Sequence, residues 1–377
     1  MDTGSGNRLM EQYSQNVWGE SQMEIQDRYA ACLLGGAMGD ALGYPVEFMS
    51  KNEIISKFGD NGIAELAIDR TSGKALISDD TQMTLFTADG LIWSHLRCAE
   101  RGIGSYEGSG TLQSYYRWYY TQTGTISDDY WLKKQPHETD NDIITYHKTI
   151  LEYPELFARR APGNSCLSAL AKDRMGTVEM PVNNSKGCGG VMRVAPVGLF
   201  FHKNVEEAMV HGMGIAALTH GHPTGYVAAG AFAAIIAELV KGRSLPESLE
   251  TTFELLKEYD KNQETTLALK GAVESANSDM DTSKAISQLG EGWVAEEALA
   301  VAIYCALKEK DFKKALQMAV NHDGDSDSTG AICGNILGAE GGMKVLPHSW
   351  LSQIELKELI LDMAQKLYLV NDYFGML

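Results

Sequence analysis

Two acidic clusters carry the most chemistry in this sequence. The first is Ser78-Asp79-Asp80-Thr81, and the second is Asp323-Gly324-Asp325-Ser326-Asp327-Ser328-Thr329-Gly330. Each stands at the start of an apolar helical pattern. A Ser or Asp there is an ordinary N-cap, worth roughly 1 kcal/mol and favoured by the helix dipole. Capping accounts for one acid per helix. It leaves over two adjacent acids in one cluster and three alternating acids in the other, with no Lys or Arg in either segment. Packed carboxylates repel unless they are protonated or bridged by cations. Carboxylates beside hydroxyls suit Mg²⁺ or Mn²⁺ rather than zinc. An EF-hand fails, because Ser328 stands where the loop requires glycine and Gly334 where it requires glutamate. Together the clusters point to a two-metal centre between two helix starts.

Three further motifs have candidate roles. Gly39-Asp40-Ala41-Leu42-Gly43-Tyr44-Pro45-Val46-Glu47 ends in a loop carrying a carboxylate, which is either a site group or a surface acid. Ser185-Lys186-Gly187-Cys188-Gly189-Gly190-Val191-Met192-Arg193 is either a phosphate cradle of bare backbone N–H groups or a flexible turn before a helix. In Thr219-His220-Gly221-His222-Pro223 no third imidazole or cysteine completes a metal site. His220 is expected to bond a ligand or backbone, and His222 to cap a helix.

The elements that must position these groups are helical. Arg28 to Leu42 is almost wholly apolar, with Gly35, Gly39 and Gly43 on one helix face, and the same spacing recurs at Gly330, Gly334 and Gly338. Each costs about 1 kcal/mol relative to alanine, so a close neighbour, helix or ligand, is expected against them. Helical periodicity also predicts helices over 80–95, 205–218, 224–241, 247–259, 264–276, 294–309, 311–320 and 354–370. Residues 100–160 read as irregular. Strand signals are few, so the fold is expected to be all-α in one domain.

In chain order, GDALGYPVE, SDDTQMT, KGCGGVMRVAP, THGHP and GDSDSTGAICGNILGA resemble the ADP-ribosylglycohydrolase family, whose founding members reverse arginine ADP-ribosylation. The resemblance covers roughly residues 28–370. It implies a compact single-domain orthogonal multi-helix bundle with two Mg²⁺ (or Mn²⁺) ions at the base of an ADP-ribose cleft. Carried over by position, one ligand triplet falls on Ser78, Asp79 and Asp80, and the other on Asp325, Asp327 and Ser328. The family's mobile or catalytic glutamate falls on Glu47. Its phosphate loop falls on Gly187, Gly189, Gly190 and Met192, and its ligand-contacting histidine on His220.

The implied reaction removes mono-ADP-ribose from protein side chains, above all at the N-glycosidic bond to arginine. Asp79 or Asp80 would orient or deprotonate the water, and Glu47 would act as acid–base group or gate. The aromatics at 115–120 are candidates for an adenine platform, with core packing as the alternative. Two departures stand out. Relatives often read Gly-Asn-Gly where this chain has Gly187-Cys188-Gly189, and the stretch Gly73 to Ile77 lacks the family's Gln-Trp. Asp323 is expected just behind the ligands.

Composition sets the outer limits. The chain has 377 residues, 32 basic and 50 acidic, for a formal charge of −18, and its 44% hydrophobic content is ample for a core. That charge disfavours binding to nucleic-acid phosphates or an anionic membrane. Six scattered cysteines without metal spacing fit a reducing compartment, and the expected location is cytoplasmic. The longest apolar run, Tyr226 to Ala237, falls short of the ~20 residues that span a bilayer and reads as a core helix. Residues 1–25 read as a flexible arm before a catalytic domain at 26–377. Tyr13, Val17 and Trp18 give that arm aromatic and apolar anchors, so an alternative function is an immunity protein whose arm plugs an ADP-ribosyltransferase toxin. A dead-site descendant of the enzyme fold is disfavoured by the intact acids.

Overall fold

Ser50, Ser78, Asn204, Ser244, Asp281, Asp311 and Asp325 each accept a backbone N–H two or three residues ahead, and each starts a helix this way. The computed structural model describes residues 20–102, 107–133, 135–136 and 148–374. The first helices are α1 Glu20–Gly43, α2 Lys51–Phe58, α3 Asp79–Arg101, α4 Glu107–Thr123, α5 Tyr130–Lys133 and α6 Asn164–Leu170. Next come α7 Ala195–Phe200, α8 Val205–Ala217, α9 Pro223–Val240, α10 Leu245–Leu256, α11 Gln263–Ala276 and α12 Thr282–Leu289. The last are α13 Ala295–Lys308, α14 Phe312–Val320, α15 Ser326–Gly341, α16 His348–Leu351 and α17 Lys357–Phe374. Among the described residues there is no strand, only three isolated β-bridges. The all-α single-domain expectation is met.

The two glycine faces meet each other. A Cβ on Gly39 would stand 1.9 Å from the Gly330 carbonyl oxygen, and one on Gly334 would stand 2.0 Å from that of Gly35. Gly43 lies against Ser326 and Gly338 against Ala31, so α1 and α15 run antiparallel, backbone on backbone. This contact sets the C-terminal end of α1 beside the N-terminal end of α15. Around the pair, α9 is buried from Thr224 to Val240, and α8, α7, α13 and α10 pack against it. It is the one described helix long and apolar enough to cross a membrane, and the protein interior covers it.

Two expectations need adjusting. The stretch read as irregular contains α4, which hides its period because apolar and polar residues alike are buried along it. Its Arg117 forms a fully buried ion pair with Asp89 of α3 at 2.6 Å, and Ser114 donates to the same carboxylate. Helix α1 begins at Glu20, so the last residues of the expected 1–25 arm are helical. The rest of that arm, with Tyr13, Val17 and Trp18, lies outside the described residues.

Candidate active site

The N-termini of α3 and α15 deliver the two acidic clusters to one cleft. Asp79 and Asp80 arrive on the first turn of α3, and Asp325, Asp327 and Ser328 on the start of α15. Glu47 comes from the single 3₁₀ turn Tyr44–Val46 that follows α1. These six residues line a cleft of about 420 Å³ together with Gly187, Gly189, Met192 and His220. One carboxylate oxygen each of Glu47, Asp325 and Asp327 lies within 4.8 Å of the others. Glu47 is therefore a site group and not a surface acid. A larger hollow of about 760 Å³ between α2, α12 and α14 contains none of these side chains, and its wall includes Asp323. Asp323 is no support for the ligands: its carboxylate accepts the Lys51 N–H at the start of α2, at 2.8 Å.

Ser78 and Gly190 do not line the cleft. Ser78 is fully buried and its hydroxyl accepts the Asp80 N–H at 3.2 Å, which places it as the cap of α3. Behind it lies Asp40, which the sequence reading passed over. Its carboxylate accepts the N–H of Ser78 at 3.0 Å and of Thr81 at 3.1 Å, so α1 grips the turn that presents Asp79 and Asp80. The available signal was a lone acid within an apolar, glycine-rich helix. Burial raises Asp40 to about 6, against the opposing pull of hydrogen bonds from Thr81 and Ser78. In Asp40→Asn an amide N–H would face those donors. We expect a loss of about 1–3 kcal/mol, read as a lower urea midpoint. An unchanged midpoint would remove Asp40 from its positioning role.

The segment 158–166 closes the cleft from the other side and was also missed. Gly163 donates its N–H to Asp79 Oδ2 at 3.2 Å, and the Arg160 carbonyl accepts the Asp79 N–H at 3.2 Å. Ala161, in this segment, holds a left-handed φ of 50° at the cleft wall. Such strain persists only where surrounding structure enforces it.

The glycine run is a built loop. Gly187 gives its N–H to Ser185 Oγ and Cys188 gives its N–H to the Trp293 carbonyl. Cys188–Gly190 form a single 3₁₀ turn capped by Gly187. The imidazole of His220 fills the space beneath: a Cβ on Gly189 would come within 3.0 Å of its Cε1 and 3.1 Å of Cys166 Sγ. His220 Nδ1 pairs with Thr219 Oγ1 at 2.8 Å, and burial, helped by the Arg193 charge, pushes the ring down to about 3. It is neutral at physiological pH. His222 caps α9, as expected.

Aromatic groups at the cleft are not those anticipated. Tyr115, Tyr116 and Trp118 are core residues of α4. Phe48 and Trp293 line the cleft instead, stacked with centroids 5.8 Å apart and planes 16° apart, and with Phe48 73% exposed. They were illegible as a pair because only the fold brings the Glu47 loop to the segment before α13.

The donor set suits divalent cations. Glu47, Asp79, Asp80, Asp325 and Asp327 are all buried, and among the described residues no Lys or Arg lines the cleft. Glu47 Oε2 and Asp80 Oδ2 have no hydrogen-bond partner among the described residues. Without a cation, burial and then neighbouring carboxylates push Glu47 up to about 9 and Asp80 and Asp327 well above the carboxylate range. A positive ion among these oxygens offsets both costs.

Known proteins resemble this chain over most of its length. The chain is 25% identical over 344 residues to the ADP-ribosyl-[dinitrogen reductase] glycohydrolase of Rhodospirillum rubrum, covering 88% of this chain and 92% of that protein. It is 20% identical over 346 residues to the ADP-ribosylarginine hydrolase Tri1 of Pseudomonas putida, covering 91% and 78%. A solved structure, an ADP-ribosylglycohydrolase-related protein complex, shares the fold with a TM-score of 0.60 at 22% identity, over 92% of this chain and 98% of that one. The ADP-ribosylglycohydrolase family profile matches residues 21–373, and the chain belongs to that family of enzymes.

Proposed function

We propose that this protein hydrolyses the N-glycosidic bond joining ADP-ribose to arginine side chains of modified proteins, with divalent cations held by Asp79, Asp80, Asp325, Asp327 and Ser328. The observation that carries this reading is a cleft lined by five carboxylates and, among the described residues, by no Lys or Arg. Such a lining favours the guanidinium of a bound ADP-ribosyl-arginine and the positive charge that builds on the ribose as the bond breaks. When bound, two Mg²⁺ or Mn²⁺ ions would supply Lewis acidity and orient the ribose.

The chain's own groups divide the remaining work. The bare backbone of the glycine loop, with Gly187 and Gly189 at the cleft, offers the diphosphate a close approach without basic side chains. Binding energy from that remote half orients the reacting half. Arginine linked to ribose carries its positive charge on the guanidinium, so departure leaves neutral guanidine and needs no prior protonation. The proton to be moved is that of the attacking water, and Asp80 Oδ2 and Glu47 Oε2 are the oxygens free to receive it. Glu47 also sits at the mouth, next to Phe48.

The test compares arginine-linked and serine-linked ADP-ribosyl peptides, each with Mg²⁺ and with chelator. Arginine-linked substrate should be cleaved in Mg²⁺ and spared in chelator. Equal cleavage of both linkages would overturn the arginine assignment, and full activity in chelator would overturn the cation. Free ADP-ribose should raise the melting temperature with saturation. In Gly189→Val the Cβ would press on His220 and Cys166, and we expect ADP-ribose affinity to fall about tenfold or more, read by calorimetry. Undiminished affinity would remove the loop from ligand binding.

A further inference from the structure

Arg193, at the end of the glycine-run motif, is fully buried, and among the described residues no carboxylate pairs with it. Its guanidinium lies 4.3 Å from the centre of the Tyr115 ring, and Nη1 points at Cys166 Sγ at 3.4 Å and Met83 Sδ at 3.5 Å. Nη2 donates to the Ile215 carbonyl at 3.3 Å and to Thr219 Oγ1 at 2.6 Å. Burying a cation among neutral partners costs stability, so its placement calls for a reason.

The donor roles follow in order. A guanidinium has hydrogens to give and no lone pair to accept with, so Thr219 Oγ1 is the acceptor there. The hydroxyl then has one proton to give, and His220 Nδ1 lies 2.8 Å away. The competing acceptor is Cys166 Sγ, but burial pushes that thiol up to about 11, and a neutral sulfur accepts only weakly. Nδ1 is thereby the lone-pair nitrogen of a neutral ring, and the ring proton sits on Nε2. That nitrogen has no partner among the described residues. It lies under the glycine loop: Cβ atoms on Gly187 and Gly189 would stand 3.5 and 3.3 Å from it, and both glycines line the cleft with His220. The His220 backbone is pinned as well, since its N–H donates to the Ala216 carbonyl at 2.9 Å.

We propose that Arg193 and Thr219 are positioning residues that lock His220 in its Nε2–H form, so that the ring offers a donor, and no lone pair, to an oxygen of bound ADP-ribose. The inference rests on the ADP-ribose reading above. A lone pair at Nε2 would face the anionic diphosphate with like polarity, whereas an N–H there complements it. Burial, with the Arg193 charge beside it, keeps the ring from becoming an imidazolium. The relay therefore gives the ligand one directed hydrogen bond that does not change with pH in the physiological range.

The experiment records nitrogen NMR spectra of the full chain carrying isotope-labelled histidine, in which the protonated and bare ring nitrogens resonate far apart. Loss of one signal set in His220→Gln assigns the ring. Calorimetry with ADP-ribose in Mg²⁺ runs in parallel. The wild type should show a neutral His220 with its proton on Nε2 between about pH 5 and 8. Thr219→Val should mix the two tautomers and lower ADP-ribose affinity about tenfold, and Thr219→Ser, which returns the hydroxyl, should restore both. Arg193→Met, which keeps the length and loses the donors, should mix the tautomers in the same way. The wild-type spectrum needs no variant to fold: a ring protonated on Nδ1, or charged in that range, overturns the relay. So does Thr219→Val with an unmixed Nε2–H signal and undiminished affinity, and an unmixed signal in Arg193→Met removes Arg193 from it. A wild type that shows the Nε2–H form yet binds no ADP-ribose overturns the ligand reading of the cleft, and the donor's role with it.

Discussion

Asp327→Ala is expected to lower hydrolysis of arginine-linked ADP-ribose by about 10³-fold or more, the scale on which one electrostatic group in a closed site is felt. The same substitution should make the cation-free protein more stable. Burial raises Asp327, and Asp80, Asp325 and Glu47 raise it further, so the folded state is burdened by a carboxylate it cannot easily ionise. Removing it relieves that burden. With saturating Mg²⁺ the order should invert, because only the wild type gains the full linkage stabilisation. The measurement is a pair of melting curves, with and without Mg²⁺, beside a rate assay. A variant that keeps wild-type turnover, or melts lower than wild type in chelator, would contradict the role given to Asp327.

The same carboxylates set a pH dependence. Glu47 is raised to about 9 in the folded state and reverts to the ordinary carboxylate range on unfolding. Cation-free stability should therefore be fullest below the unfolded value and should fall as pH rises through the ordinary range towards 9. Mg²⁺ should flatten that fall.

Gly39→Val is the second large effect, and it falls on the fold. The new Cβ would stand 1.9 Å from the Gly330 carbonyl oxygen and 2.3 Å from its carbon, both backbone atoms that cannot step aside. Helices α1 and α15 would have to separate along their length. We expect a loss of about 4 kcal/mol or more, read as a collapsed urea midpoint or insoluble protein. Gly214→Ala supplies the contrast. That helical glycine of α8 has nothing within 4 Å of its would-be Cβ, so alanine should stabilise by about 0.5–1 kcal/mol. Equal outcomes at the two positions would show that helix propensity, and not close packing, governs both.

Much of the site was legible because its parts are local. Ser78 and Asp325 cap helices whose apolar patterns are plain, and surplus acids without basic neighbours set these two helix starts apart from ordinary caps. The glycine spacing in the two apolar stretches showed that something must approach each face. Their mutual contact is a fact of tertiary structure that spacing could not supply. Asp40 was missed for the opposite reason: its partners are backbone N–H groups of Ser78 and Thr81, which leave no trace in residue type. Helix α4 was missed because Arg117 and Gln113 are buried along with its tyrosines, so no polar face marks the turns. Phe48 and Trp293 needed two distant loops to meet. The assignment of individual ligands came from family resemblance, since capping alone cannot distinguish a ligating aspartate from a structural one.

The glycine-faced pair also fixes when, during synthesis, a working site can exist. Asn335 reaches the Cys32 carbonyl across 303 residues of sequence, and Asp327 comes to rest beside the end of α1. Helix α1 emerges from the ribosome apolar around most of its circumference, and its closest partner follows only about 300 residues later. Contacts so distant in sequence slow folding and leave hydrophobic surface uncovered in the interval. Nascent chains ending before α15 should hold no cation and engage chaperones through the α1 surface that Gly35 and Gly39 keep bare.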